Sequence, residues 1–175
     1  MIAELGLKRD EVDLAQPTRD WTAAFWRERI LLGDALGALT MHIEHVGSTS
    51  VAALPAKPII DIAVCVDSDT LIAPVVARLE EVGYLYYGDA AFRGGHLLVK
   101  ESSPGVRTHH VHVLTADDPQ WHSWLRFRDF LRTDRELRQR YARLKLELKS
   151  RFPSDRRAYT LAKTRFIENA LKREL

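Results

Sequence analysis

The chain has 175 residues, of which 46% are hydrophobic and 29% are charged. This length suits one well-buried domain and is too short for two ordinary ones, so we expect a single domain over residues 1–175. The single cysteine, Cys65, excludes an internal disulfide and a cysteine-based zinc motif. No apolar stretch is long enough to span a bilayer, and acids interrupt the region where a secretory signal would need an apolar core. These features predict a soluble cytoplasmic protein with no membrane partner.

Charge is unevenly distributed along the chain. Residues 1–120 contain 10 Lys and Arg against 17 Asp and Glu, whereas residues 121–175 contain 16 against 7. Clustered cations attract phosphate, nucleic acid or an acidic partner, but these basic residues are spread along predicted helices rather than packed in one run. We therefore favour a solvated helical face whose arginines pair with acids of the first part, and nucleic-acid binding is not expected.

The first predicted elements are a helix and two strands. Apolar residues recur at helical spacing over Asp20–Leu36, and strands are predicted at Met41–Val46 and Pro58–Val66. The second strand is apolar apart from Asp61, so we expect it to be buried on both faces. An acid in such a strand costs free energy unless it is paired or bound to metal. Asp61 is therefore the candidate catalytic residue.

The turn between those strands reads Gly47-Ser48-Thr49-Ser50. Its hydroxyls stand at a predicted helix start, where they either cap the helix or hold a phosphate. The preceding glycine favours the second interpretation, because it lets a phosphate approach the backbone closely. Lys57, at the mouth of the next strand, either reaches that phosphate or lies in water.

A helix over Ser68–Val82 and three strands are predicted in the middle of the chain. The strands are Tyr84–Tyr87, Gly95–Glu101 and Val106–Thr115, and the turn-forming SSPG joins the last two into an antiparallel hairpin that completes a mixed sheet. Arg93 and Arg107 border this hairpin. Both are candidates for phosphate contact or ordinary surface residues, and Arg107 is preferred because it precedes His110 by three residues.

Two histidines on the last strand suggest a metal site. His110 and His112 are two residues apart and share one face of the strand, whereas His109 points to the other face. If the pair faces Asp61, the three side chains form a site with two imidazoles and one carboxylate. Neutral imidazole binds zinc, manganese or iron more readily than hard magnesium. The alternative is that the histidines bridge polar groups between the sheet and a helix layer.

From residue 119 onward the chain changes character. Three helical stretches are predicted at 119–132, 134–151 and 155–173, divided at Thr133 and by Phe152-Pro153-Ser154. The fold class predicted for the whole chain is therefore α/β (α+β), with an α/β core over residues 1–118 and a helical C-terminal part over residues 119–175.

Three segments, EHVGSTSV, AKPIIDI and RTHHVHV, together resemble the GrpB (UPF0157-type) family, which is assigned to the nucleotidyltransferase superfamily. The resemblance covers most of the chain and implies a nucleotidyltransferase-like mixed β-sheet flanked by helices. It also implies that the C-terminal helices form the opposite wall of a nucleotide cleft, with Arg128, Tyr159 and Lys163 towards the nucleotide. Tyr159 and Lys163 share one helix face, and a packed tyrosine beside a solvated lysine is the alternative interpretation of that pair.

One departure from the superfamily pattern bears on chemistry. The pattern has Gly-Ser before a short helix, then two carboxylates separated by one residue on the next strand. Gly47, Ser48 and Asp61 match, but the second carboxylate position is Ala63. Because residues i and i+2 of a strand share a face, a second Asp there would have shared two divalent ions with Asp61. Alanine cannot bind metal, so the two-metal site lacks one ligand.

These observations favour a metal-dependent nucleotidyltransferase that transfers a nucleoside monophosphate from a nucleoside triphosphate to an acceptor. Asp61, His110 and His112 are expected to hold a divalent ion, Mg²⁺ or Mn²⁺ with Zn²⁺ as a further candidate. The alternative is a catalytically degenerate nucleotide-binding or protein-accessory module, which the family's fusions to a coenzyme A enzyme connect with coenzyme A metabolism. A phosphoester hydrolase with a His/Asp metal site is a third candidate.

Overall fold

The computed structural model describes residues 5–89 and 95–172, which form a mixed sheet and five α-helices. The strands are β1 (Leu7–Lys8), β2 (His42–Val46), β3 (Ile60–Val66), β4 (Leu85–Asp89), β5 (His96–Ser103) and β6 (Val106–Thr115). The helices are α1 (Arg19–Leu36), α2 (Ile72–Glu81), α3 (Pro119–Thr133), α4 (Arg135–Arg151) and α5 (Arg156–Leu171). The predicted fold class is confirmed. Among the described helices, none has the length and apolar character needed to cross a membrane.

The sheet has the strand order β2-β3-β6-β5-β4, and β1 pairs with β6 at its start. Strands β3 and β6 are parallel, and every other pairing is antiparallel. The parallel register places Asp61 beside His110 and Ala63 beside His112. Side chains at matched positions of neighbouring strands lie on the same face of a sheet. The topology therefore brings the two predicted histidines to the face that carries Asp61.

The two faces of the sheet are covered differently. Helices α1 and α2 close one face over a large apolar core that contains Trp21, Phe25, Leu79 and the inward residues of β3 and β6. Helix α3 covers part of the other face through Trp121, while α4 and α5 pack with α3 in a separate cluster. The C-terminal helices begin at side-chain caps from Asp118, Asp134 and Asp155. The space left between these helices and the sheet is a cleft.

Candidate functional site

Gly47 and Asp61 lie in close contact at the centre of the site. Gly47 has a φ of 69°, in the region that favours glycine, and a Cβ atom there would lie 2.5 Å from Asp61 Oδ2. The residues after it, Ser48–Ser50, form a short 3₁₀ helix instead of the start of an α-helix, and no side chain in the described part of the chain caps it. The glycine is therefore required both for the turn and for the approach of the Asp61 carboxylate.

Asp61, His110 and Arg156 form a chain of hydrogen bonds. Nδ1 of His110 lies 2.9 Å from Asp61 Oδ1, and Arg156 Nη2 donates to His110 Nε2 at 3.2 Å. Burial, opposed by the attraction of Asp61, lowers the pKa of His110 to about 4. For Asp61, burial would raise the pKa, but the hydrogen bond from His110 and nearby positive charge hold it well below its usual range. Both pKa values are lowered, and these directions favour an ionised Asp61 beside a neutral His110.

His112 completes a set of three potential metal ligands. Asp61, His110 and His112 each offer one ligand atom, and these atoms lie within 4.8 Å of one another. The ring of Trp124 packs edge-on against His112, with the ring centroids 4.9 Å apart. Two imidazoles and a carboxylate at this spacing suit a divalent transition-metal ion and leave further coordination positions for a ligand. The donor set therefore fits a metal ion.

Ala63, at the position of the second carboxylate, is closed off by helix α3. It is completely buried in an apolar cluster with Val46, Cys65, Leu114 and Trp121. The neighbouring strand places Glu44 opposite Ala63, but Arg128 Nη1 donates to its carboxylate at 2.6 Å. No substitute for the missing ligand is therefore open at this point among the described residues.

The cleft has a volume of about 510 Å³ and lies between the sheet and helices α3, α4 and α5. Its lining is rich in cations and includes Lys57, Arg107, Arg128, Lys145, Arg156 and Lys163. Asp61 and Glu168 are the acids among the lining residues. An excess of positive charge over a concave surface attracts anions, so the cleft is electrostatically suited to a phosphate ligand.

Lys145 is the most deeply buried of these cations, with 1% of its surface exposed. Its ammonium nitrogen Nζ donates to Ser48 Oγ at 3.1 Å and to the carbonyl of Pro55. Burial, with a contribution from the charge of Lys163, lowers the pKa of Lys145 to about 6. The turn that carries Ser48 is therefore supported from the helical side by a lysine that an anion would help to keep charged.

The other predicted residues of the turn, Thr49 and Ser50, are buried, and of the two only Thr49 is among the described residues that line the cleft. Thr49 Oγ1 is 3.0 Å from His45 Nε2, and Ser50 Oγ donates to the Gly47 carbonyl at 2.6 Å. The Ser50 carbonyl accepts from Arg132 at 2.9 Å. The side chains of Thr49 and Ser50 thus make hydrogen bonds within the protein around the turn, and Gly47, Ser48 and Thr49 line the cleft.

The predicted cations Lys57, Arg107 and Lys163 all line the cleft, and they pack against different aromatic rings. Lys57 and Lys163 lie against the Tyr159 ring, with Nζ 5.8 Å and 4.5 Å from its centroid. Tyr159 is only 1% exposed, so it supports the two lysines more than it faces the cleft. Arg107 stacks on Tyr87 at 4.6 Å and lies 4.0 Å from Glu101. Arg93 lies outside the described residues.

Three residues that line the cleft were not predicted from the sequence: Tyr141, Lys145 and Arg156. Tyr141 and Lys145 belong to the buried stripe of α4 with Leu137 and Leu148. A lysine at helical spacing among apolar residues was the available signal, because an unpaired lysine in a core is unfavourable. Arg156, the first residue of α5, gave no comparable signal, since its contact with His110 depends on how α5 docks.

Comparison with known proteins gives one family across nearly the whole chain. The family described as GrpB protein matches residues 11–173. The Glutamate-rich protein GrpB of Alkalihalophilus pseudofirmus is 31% identical over 170 residues, covering 95% of this chain and 98% of the relative. A dephospho-CoA kinase of Mycolicibacterium paratuberculosis is 29% identical over 192 residues, and the match covers 95% of this chain but 47% of the kinase.

Solved structures agree with this assignment. The crystal structure of GrpB from Enterococcus faecalis has a TM-score of 0.79 and 32% identity, covering 91% of this chain and 98% of that one. A structure of the Cid1 poly(U) polymerase with MgGTP bound has a TM-score of 0.53 and 15% identity, covering 78% of this chain and 44% of that one. The second likeness shows the fold alone, which is nucleotidyltransferase-like. The chain belongs to the GrpB family.

Proposed function

We propose that this protein binds a nucleoside triphosphate together with one divalent metal ion in the cleft and transfers a nucleoside monophosphate to an acceptor hydroxyl. One observation carries the proposal. The Asp61 carboxylate lies against the Gly47-Ser48 turn in a cation-lined cleft. Its ligand atom is within 4.8 Å of those of His110 and His112. Nucleotidyl transfer needs these same features, a metal-binding carboxylate beside a surface that holds phosphate.

The metal would be held by Asp61, His110 and His112. When bound, it supplies positive charge to the phosphoryl oxygens at the reacting centre. Asp61 contributes a permanent negative charge to that site, because its low pKa keeps it ionised. The imidazoles favour Mn²⁺ or Zn²⁺ over Mg²⁺ among the candidate ions.

The phosphates would be held beside Ser48, on the side of the turn that faces Lys145. Ser48 and Lys145 are already joined by a hydrogen bond of 3.1 Å, and Lys57 and Lys163 flank Tyr159 nearby. A triphosphate oxygen accepts hydrogen bonds from ammonium groups and from the Ser48 hydroxyl. Arg107 adds charge at the edge of the cleft. A triphosphate bound in this way would have its α-phosphate near the proposed metal ligands.

The transfer itself is an in-line displacement. The acceptor oxygen forms a bond to the α-phosphorus, the bond from that phosphorus to the pyrophosphate oxygen breaks, and the hydroxyl proton is released to water. The cationic side chains of the cleft neutralise the charge of the departing pyrophosphate. The protein's own contribution is therefore positioning and charge stabilisation.

Pyrophosphate release tests the proposal. Each of the four common nucleoside triphosphates is incubated with Mg²⁺, Mn²⁺ or Zn²⁺ and the parent protein, Asp61→Asn or Asp67→Asn. Asp67 follows β3 and is exposed, so it provides a matched control. We expect one metal and nucleotide pair to give release that Asp61→Asn reduces by about a hundredfold and Asp67→Asn leaves unchanged. Equal release from the parent and Asp61→Asn would contradict the proposal.

The buried position of Ala63 favours a second candidate, a nucleotide-binding or accessory module without transfer chemistry. The match to a dephospho-CoA kinase suggests that such a module acts beside a coenzyme A enzyme. The two candidates differ in outcome. A module would be stabilised by nucleotide, by about 2.7 kcal/mol at a nucleotide concentration a hundred times the dissociation constant, and its melting temperature would rise accordingly. It would release no pyrophosphate.

A further inference from the structure

His110 is engaged at both ring nitrogens, and its two partners differ in kind. Asp61 Oδ1 lies 2.9 Å from Nδ1, and Arg156 Nη2 lies 3.2 Å from Nε2. A guanidinium group has donors and no acceptor, so Nε2 must accept the hydrogen bond from Arg156. The ring proton is therefore on Nδ1, from which it is donated to Asp61. The contact with Arg156 thus selects one of the two neutral tautomers of His110.

The selected tautomer is incompatible with a metal ion on the ring. Coordination through Nδ1 would require the proton to move to Nε2, where it would point at the Arg156 donor. Coordination through Nε2 would require the lone pair that accepts from Arg156. With either nitrogen, Arg156 and a metal ion compete for the same imidazole.

We propose that Arg156 is a positioning residue that gates the metal site, so that a divalent ion binds His110 only after Arg156 has turned away, and that an oxyanion in the cleft draws it away. The inference rests on the metal site proposed above. Arg156 is fixed at the start of α5, and its Nη1 also donates to the Arg9 carbonyl at 3.1 Å. Only its side chain has to move.

An oxyanion is the ligand suited to release Arg156. The guanidinium group lines the same cleft as Lys57 and Lys145. A hydrogen bond from arginine to a phosphate joins opposite charges and is frequently bidentate, whereas the neutral His110 ring offers Arg156 a single uncharged acceptor. A bound anion would therefore raise the affinity for metal, and by reciprocity a bound metal would raise the affinity for the anion.

Titration with Co²⁺, followed by its visible absorption, tests the gate. The proteins are the parent, Arg156→Gln and Arg157→Gln. Both substitutions remove one positive charge, but Arg157 is exposed at the neighbouring position of α5. The glutamine amide is both a donor and an acceptor, so it accommodates either tautomer of His110. We expect Arg156→Gln to bind Co²⁺ at least tenfold more tightly than the parent, about 1.4 kcal/mol, and Arg157→Gln to match the parent.

Two further readouts separate gating from a merely structural role. Long-range ¹H–¹⁵N spectra should show the Nδ1–H tautomer of His110 in the metal-free parent. Sulfate, used as the oxyanion probe, should tighten Co²⁺ binding to the parent and have no such effect on Arg156→Gln.

The possible failures are distinguishable. Equal Co²⁺ affinity in all three proteins would overturn the gate and leave the metal site in place. Absence of Co²⁺ binding in all three, including Arg156→Gln, would overturn both the gate and the metal site of the proposed function. An Nε2–H tautomer in the metal-free parent would contradict the premise of the gate.

Discussion

His109 and His110 are adjacent on β6 and each lies near an acid, but on opposite faces of the sheet and in different surroundings. On the face covered by α1, His109 lies 3.9 Å from the Glu28 carboxylate, to which Tyr84 and Lys100 each donate at 2.8 Å. On the other face, His110 pairs with Asp61 at the edge of the cleft. The first cluster is closed beneath a helix, whereas the second is open to a ligand. A histidine paired with an acid is therefore a candidate binding site only where the packing leaves room for a ligand.

The largest difference between the faces should appear in metal binding. We expect His112→Gln to weaken Co²⁺ or Mn²⁺ binding by about a hundredfold, because one of three ligands is lost. His109→Gln is the matched substitution on the closed face, and it should leave metal affinity unchanged. Calorimetric titration of both variants makes the comparison, and a similar loss in the two proteins would contradict the assignment of faces.

Substitutions on the face covered by α1 should change the stability of the fold instead of metal binding. We expect Glu28→Gln to lower the free energy of unfolding by about 2–4 kcal/mol, because it removes the buried acid opposite Lys100. Urea denaturation of the parent and the variant measures this change. A loss below about 0.5 kcal/mol would show that the buried cluster contributes no more than an exposed ion pair.

Two glycines with positive φ, Gly47 and Gly83, differ in the space around them. Gly47→Ala would place a Cβ atom 2.5 Å from Asp61, whereas at Gly83, with φ 91°, the described residues place no heavy atom within 4 Å of an added Cβ. Both substitutions should cost about 1–2 kcal/mol of stability from the left-handed backbone. Only Gly47→Ala should also reduce metal affinity, by roughly tenfold, because it displaces a ligand by a fraction of an ångström. Parallel denaturation and metal titration separate the two effects.

The smallest expected effect concerns pH. Burial lowers the pKa of His45 from 6.5 to about 4. The unfolded chain therefore binds a proton at this residue between about pH 6.5 and 4 while the folded chain does not, so stability falls as the pH decreases through that window. His45→Gln should reduce the slope by at most about 1.4 kcal/mol per pH unit. Urea denaturation at several pH values would refute this if the two slopes were equal.

Most of the regular elements could be predicted from the sequence because they depend on local pattern. The continuous apolar run around Asp61 and the SSPG turn define β3 and the β5–β6 hairpin without reference to the rest of the chain. The pairing of Asp61 with His110 then follows from alternation once β3 and β6 are parallel neighbours. The fold class and this part of the candidate site were accessible for that reason.

Features that depend on helix docking were not accessible. Lys145 and Arg156 reach the site only through the way α4 and α5 pack on the turn and on β6. Arg107 shows a subtler effect, since strict alternation would place it on the face opposite His110. A register shift between Lys100 and Glu101 pairs Arg107 with Glu101, and it thereby joins the cleft side.

The decisive test of the proposed metal and nucleotide site is a crystal soaked with Mn²⁺ and a non-hydrolysable nucleoside triphosphate analogue. Anomalous scattering at the manganese edge locates the metal without reference to activity. We predict a peak roughly 2.0–2.3 Å from ligand atoms of Asp61, His110 and His112, with the triphosphate extending past Ser48 towards Lys145. An ordered analogue in the cleft with no manganese peak at these three residues would contradict it.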